Sequence, residues 1–516
     1  MNLFSAGSSN KPATAAKKPT ITRTTVKVPV RQPAQKPSPA PAQPSRSRFQ
    51  LSENRKASSA SPRPAATSKK PVVQRALAKS RGLKRKSATP DHVTFSDDDD
   101  EDDSSDVGGG SDSDVSRKRI KSSVSSVSSL GPRRRILYDA AFAQDNGPLQ
   151  MMHGADATSG EYASLFKLPW SEDDVTRVEL QYPSRYPKER FELKMPKSKD
   201  DYKPMEDITN TIEMVAKYYF PDELFEKYYS NDETRFERKF IHAWQREDVD
   251  EFKSIVEDYN DIVKSLVENG AMQQKLESKN TLELELIRRI LDQIFARTVS
   301  PRAEILNKYI AGSDNVYGEL LPRFCSDIFK KTRLTHEQCF IDLGSGVGNV
   351  VLQAALEIGC ESWGIEMMPN PCDLAELQAA EFNSRAKLWG LDVGSVNLMR
   401  GDMTQTPALM PVLQRADVIL VNNQAFTPQL NDKLLHMFLD LKEGAQIVSL
   451  KPFVPEGHKI QMRTLDDVKN QFVPKKFEYF SDSVSWSHYG NENWYIATKD
   501  LRPLKEFTRR HSARRG

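Results

Sequence analysis

No apolar run in this 516-residue chain approaches the ~20 residues that a membrane-spanning helix needs. Cysteine is scarce: Cys325, Cys339, Cys360 and Cys372 are all there are, and none falls in C-x-x-C spacing. The eight histidines form no zinc-like pairs. Neither a disulfide framework nor a zinc module is expected, and a reducing compartment is the default. The N-terminus is polar and shows no secretory pattern. A soluble intracellular protein with no membrane contact is the expectation. Aromatic residues are almost missing from residues 1–137, which are rich in Ser, Pro, Ala, Lys and Arg. So little apolar surface cannot offset the entropy of ordering the chain, so a disordered tail is expected there. About 380 residues remain, enough for one large domain with a helical annex.

What is present is charge, unevenly placed. The net charge of +3 conceals +18 over residues 1–95, −10 over 96–114 and +7 over 115–137, which leaves −12 for the rest. Basic clusters stand at Arg81–Lys86, Arg117–Lys121 and Arg133–Arg135. Their spacing suggests nuclear import and contact with nucleic acid. A basic arm on an acidic body suits a partner that displays both polyanion and basic protein, as chromatin does.

Beyond the tail, residues 138–315 read as a strand-poor lobe, mainly helical from 207, in which Leu282, Leu286, Ile290 and Ile294 recur every four residues. From Glu337 strands and helices alternate, which implies a parallel sheet covered on both faces. Ser483–Trp486 and Asn493–Thr498 read as a closing antiparallel hairpin around Gly490. Such a hairpin added to a parallel sheet resembles the topology of the class I S-adenosylmethionine-dependent methyltransferases, so an α/β domain of that class is the expected fold over 316–501. Its sheet would be Rossmann-like and mostly parallel, with seven strands. Residues 502–516 read as a basic C-terminal tail.

The strongest local signal is Phe340, Ile341, Asp342, Leu343, Gly344, Ser345, Gly346, Val347, Gly348 and Asn349. A buried strand runs into a glycine loop and a helix start, the junction where α/β sheets hold nucleotide-like cofactors. The third glycine arrives one residue too early for a dinucleotide fingerprint. Asp342 would repel a pyrophosphate and attract an ammonium, which favours S-adenosylmethionine over NAD. Glu366, ending the next strand, is placed to accept from ribose hydroxyls. Asp402 is placed to accept from the adenine amino group and Met403 to pack on the ring. Asn422 and Phe426 end the fourth strand, where an amine acceptor would be presented. An Asn-Pro-Pro-aromatic motif there would mark base-amino methyltransferases; this chain has the Asn and the aromatic without the prolines.

Five ordered motifs resemble the disruptor-of-telomeric-silencing family, the non-SET methyltransferases of histone H3 lysine 79, in its fungal branch. They are Tyr317-Gly318-Glu319-Leu320, the glycine loop, Asn422 to Phe426, Ile447 to Phe453 and Ser483 to Trp486. The resemblance covers roughly residues 207–501. It implies that Tyr317, Gly318, Glu319 and Leu320 cover the methionine end of the cofactor. It also implies that Asn422 borders the transferred methyl and that Phe426, Trp486 and the Trp494-Tyr495 pair line a lysine channel. S-adenosyl-L-methionine without a metal is the implied cofactor. The implied partner is the nucleosome, with histones H3 and H4 and ubiquitinated H2B, and with DNA held by the basic tail. A monomer in the nucleus, acting in silencing, is implied too. Met403 stands where the family usually has Phe, and Trp494-Tyr495 where it has a Tyr pair. A nucleic-acid amino-group methyltransferase is the alternative, and a non-catalytic chromatin-binding protein with the same fold is a second.

Overall fold

The computed structural model describes residues 133–170, 174–199, 201–307, 318–479, 483–485 and 492–513. The basic and acidic clusters before residue 133 lie outside them, as do Tyr317, Trp486 and residues 514–516.

The lobe is built on four long helices: α1 (Pro204–Tyr219), α2 (Phe236–Arg246), α3 (Val249–Glu268) and α4 (Leu284–Thr298). Proline opens α1, where its fixed φ fits and its missing N–H costs nothing. Asp248 caps α3 by accepting from the Glu251 N–H at 2.8 Å. Phe252, Val256, Tyr259 and Val263, spaced at helical intervals, form its buried face. Short antiparallel pairs lie beside these helices, Arg177–Leu180 with Glu189–Glu192 and Phe166–Lys167 with Met195–Pro196.

The sheet follows. Its strands are β1 (Cys339–Leu343), β2 (Glu361–Glu366), β3 (Val396–Arg400), β4 (Val418–Val421), β5 (Gln446–Ser449), β6 (Phe472–Tyr479) and β7 (Glu492–Lys499). They are ordered β6-β7-β5-β4-β1-β2-β3. The first five are parallel, while β7 runs antiparallel to both β5 and β6. β1 is buried along its whole length, as a central parallel strand must be. Ile341 and Leu343 pack on one face with Ile419 and Ile447, and Phe340 packs on the other with Phe329 and Val448. The covering helices include α5 (Pro322–Thr332), α6 (Asn349–Gln353), α7 (Pro369–Leu388) and α8 (Pro428–Met437).

Three expectations change here. The partner of β7 is Phe472–Tyr479, not Ser483–Trp486. Pro474, Lys475 and Lys476 disguise β6 because it is an edge strand, where proline and lysine are tolerated and block further pairing. Ser483–Ser485 pair instead with the segment before α5: Leu320 bridges Val484, and the Leu321 N–H donates to Ser483 O at 2.9 Å. The C-terminal residues are not simply a tail, since Arg502–Ser512 form helix α9. Nor does the body begin at 138. Ile136 and Leu137 are buried. Arg134 donates to the carbonyls of Leu356, Glu357 and Asp392 at 2.6–3.0 Å. Burial lowers its pKa to about 10, and its three carbonyl partners make it a packing residue and not part of a free basic cluster.

The lobe and the sheet share a core. Phe382, Leu388 and Trp389, at the C-terminal end of α7, pack with Tyr182, Tyr219 and Ile290. A buried ion array joins them there: Arg297 bonds Glu189 and Asp207, each at 2.7 Å, and Arg385 of α7 bonds Glu189 and Glu381. Burial opposes ionisation of Glu189, but Arg297 and Arg385 overcome it and hold the carboxyl down to about 2. Such an array supports α7 only while it is complete, because deleting one partner of a buried pair costs about 3–5 kcal/mol.

Candidate active site

A cleft of about 920 Å³, open solvent at its mouth included, lies at the carboxyl ends of β1, β2 and β4. Its floor is the glycine loop. Gly344, Gly346 and Gly348 have φ of +89°, +55° and +88°. The first and third lie well beyond the usual left-handed well, so glycine serves there for conformational reasons. The Gly344 and Ser345 N–H groups both donate to Ile365 O, at 2.9 and 3.0 Å, which folds the loop across the end of β2. A Cβ at Gly344 would sit 3.7 Å from the Met403 methyl and 3.9 Å from the Phe426 ring. The floor thus faces both residues closely.

Two carboxylates mark the cleft. Glu366 accepts from the Gly346 N–H at 3.0 Å with one oxygen and from the Met367 and Met368 N–H groups at 2.8 Å with the other. These backbone bonds fix it at the end of β2 and leave lone pairs for a ligand's hydroxyls. Asp342 is only 4% exposed yet lines the cleft. Burial, with the Glu366 charge adding to it, raises its pKa to about 7.

The roof is Gly318, Glu319 and Leu320, held from two sides. Glu319 and Ser485 exchange bonds, N–H to Oγ and N–H to carbonyl, both at 3.0 Å. The Asn349 amide donates to Glu319 Oε1 at 3.0 Å. Asn422 Nδ2 donates to Gly318 O at 3.2 Å, which leaves Oδ1 as its acceptor. Behind it Asn423, 1% exposed, accepts from the Leu450 and Lys451 N–H groups and donates to Lys451 O. That clamp ties the loop carrying Asn422 and Phe426 to the end of β5.

Of the residues named from the sequence, Gly318, Glu319, Leu320, Asp342, Gly344, Ser345, Gly346, Val347, Asn349, Glu366, Met403, Asn422 and Phe426 line this one cleft. Other expected residues do not line the cleft. Phe340, Ile341 and Leu343 alternate into the two cores and carry the loop from behind. Gly348 turns toward Leu398 and Ala375. Asp402 bonds its own turn, accepting from the Thr404 N–H at 2.7 Å, the Thr404 hydroxyl at 2.9 Å and Gln405 Nε2 at 2.6 Å. Trp494 is 2% exposed, stacked on Phe477 at 4.7 Å and edge-on to Phe324 at 5.5 Å. Its position on β7 makes it a core residue, whereas a channel wall was expected.

Sequence reasoning missed Met367, Met368 and Pro371, which also line the cleft. It missed Gln378 as well. The one signal for Gln378 was a glutamine four residues from Leu374 and from Phe382, apolar positions of the buried face of α7.

The strand order, the glycine loop after the first strand and the acid ending the second define a class I methyltransferase fold. The profile of the family described as histone methylation protein DOT1 matches residues 295–499. Relatives named histone-lysine N-methyltransferase, H3 lysine-79 specific, align over most of the chain. The Aspergillus fumigatus protein is 48% identical over 82% of each chain. The Emericella nidulans protein is 48% identical over 76% of this chain and 78% of its own. The Gibberella zeae protein is 38% identical over 85% and 87%. This chain belongs to the DOT1 family of histone methylation proteins.

Proposed function

We propose that this protein transfers methyl groups from S-adenosyl-L-methionine to lysine 79 of histone H3 within the nucleosome, and so works in the nucleus. Support comes from the pairing of a cleft suited to a cationic, phosphate-free nucleoside with membership of this family. Bound S-adenosylmethionine supplies an electrophilic methyl on a sulfonium. The residues present fit it: Asp342 for the α-ammonium, Glu366 for the ribose, and Met403 with Met367 and Pro371 for the adenine. Asp402, occupied by its own turn, is left a supporting part there.

In-line transfer to an amine asks the protein for alignment and exclusion of water. Asn422 Oδ1 accepts from the incoming amine, and Phe426 walls its approach. The amine must arrive neutral. At an unperturbed pKa of ~10.4, about one lysine in a thousand is neutral near pH 7. Desolvation against Phe426 and repulsion by the sulfonium both depress that pKa.

Asp342 makes cofactor binding depend on pH. Its carboxyl is raised to about 7 in the free protein, so below pH 7 it is mainly protonated. Binding an ammonium there requires the charged form and must expel the proton. The cofactor Kd should therefore rise about tenfold per unit as pH falls below 7 and level off just above it. Calorimetry from pH 5.5 to 8 in buffers of different ionisation heat measures both the slope and the proton released. A flat profile would remove the ammonium from Asp342.

The basic segments preceding residue 133 add a salt-dependent hold on nucleosomal DNA. Removing residues 1–132 should weaken nucleosome binding and flatten its salt dependence while cofactor affinity stays unchanged. Equal binding by the truncated chain at every salt concentration would leave the segment no part in recognition.

A further inference from the structure

Gln378 sits on the buried face of α7 at 1% exposure, so its amide must find partners within the protein. It finds them at the cleft. Nε2 donates to Val347 O at 2.7 Å and to Asn349 Oδ1 at 2.9 Å. Asn349 passes the link on through Nδ2 to Glu319 Oε1 at 3.0 Å, and Glu319 is laddered to Ser485. A continuous chain of hydrogen bonds thus runs from α7 through the glycine loop to the roof. Its direction is forced. The Gln378 nitrogen can only donate, so Asn349 must turn its oxygen toward α7 and its nitrogen toward Glu319. Seven residues further along α7, Arg385 is locked into the buried ion array, so the helix is a fixed post.

We propose that Gln378 is a positioning residue for methyl transfer. By setting the polarity of the Asn349 amide it holds the Glu319 roof over the glycine loop at the separation that bound S-adenosylmethionine requires. It touches no cofactor and acts through Val347 and Asn349. The proposal rests on the cofactor assignment of the cleft given above.

The test uses the full chain with S-adenosylhomocysteine as probe. Gln378→Met keeps the side chain's volume and removes both donors. It should raise the Kd for the probe and the KM for the cofactor about tenfold, the usual cost of leaving buried acceptors unpaired. The nucleosome KM should hold, and kcat at saturating cofactor should stay within about threefold. Asn349→Asp still accepts from Gln378 but faces Glu319 with a like charge, and should reproduce the loss. The double variant should lose no more than the worse single one, because both break one chain of bonds. Unchanged cofactor affinity in folded Gln378→Met, or losses that multiply, would overturn the proposal. Should that variant not fold, unchanged affinity in Asn349→Asp overturns it equally. Wild-type protein that fails to bind the probe would instead strike the cofactor assignment, a different failure.

Discussion

Gly346→Arg is expected to abolish cofactor binding. Gly346 lines the cleft, and its N–H donates to Glu366 Oε2 at 3.0 Å. Its φ of +55° is one that other residues adopt at a cost of about 1–2 kcal/mol, so the variant should fold. An arginine side chain at this cleft-lining position is expected to enter the cleft. There it occupies the space of the ligand, and its guanidinium pairs with Glu366 or Asp342, taking the charges that a cationic nucleoside would use. Calorimetry should show the Kd for S-adenosylhomocysteine raised more than ~100-fold, equivalent to over ~2.7 kcal/mol. A thermal melt close to wild type should accompany it. Binding retained within about threefold would mean that the ligand lies elsewhere.

Asn422→Ala should have the opposite signature, with rate lost and affinity kept. Asn422 stands at the carboxyl end of β4, its nitrogen committed to Gly318 O, and Asn423 anchors the loop behind it. In the proposed function that carbonyl orients the attacking amine only in the complex approaching transfer. Removing one preorganised hydrogen-bonding group costs on the order of 10²–10³ in kcat. The cofactor Kd should move less than about threefold, since Asp342, Glu366 and the glycine loop remain. Single-turnover rates with pre-bound cofactor measure the first quantity and calorimetry the second. A large loss of affinity with kcat preserved would make Asn422 a cofactor ligand.

The parts that could be read from the sequence were those with local physical signatures. A buried apolar run meeting Asp342 and three glycines announces strand, loop and helix wherever it occurs. So do the acid ending β2 and the polar loop after β4. What escaped depends on distant contacts. β6 carries Pro474 and two lysines, a composition that only an edge position explains. Arg134 looks like part of a basic cluster until three carbonyls far along the chain surround it. Trp494 could be a channel wall or a core residue, and the side of β7 it occupies, facing Phe324, decides for the core. Asp402 carries the same sequence signal whether it binds a ligand or its own turn, and here it bonds Thr404 and Gln405. The coupling of the lobe to α7 through Glu189, Arg297 and Arg385 joins residues nearly 200 positions apart, and no window of sequence contains it.

The central claim is the acceptor. The full chain should be incubated with methyl-labelled S-adenosylmethionine and intact nucleosomes, and the modified residue mapped by mass spectrometry of the separated histones and DNA. The label is expected on lysine 79 of histone H3. Label in the DNA, on another histone lysine, or on no component at all would contradict the account.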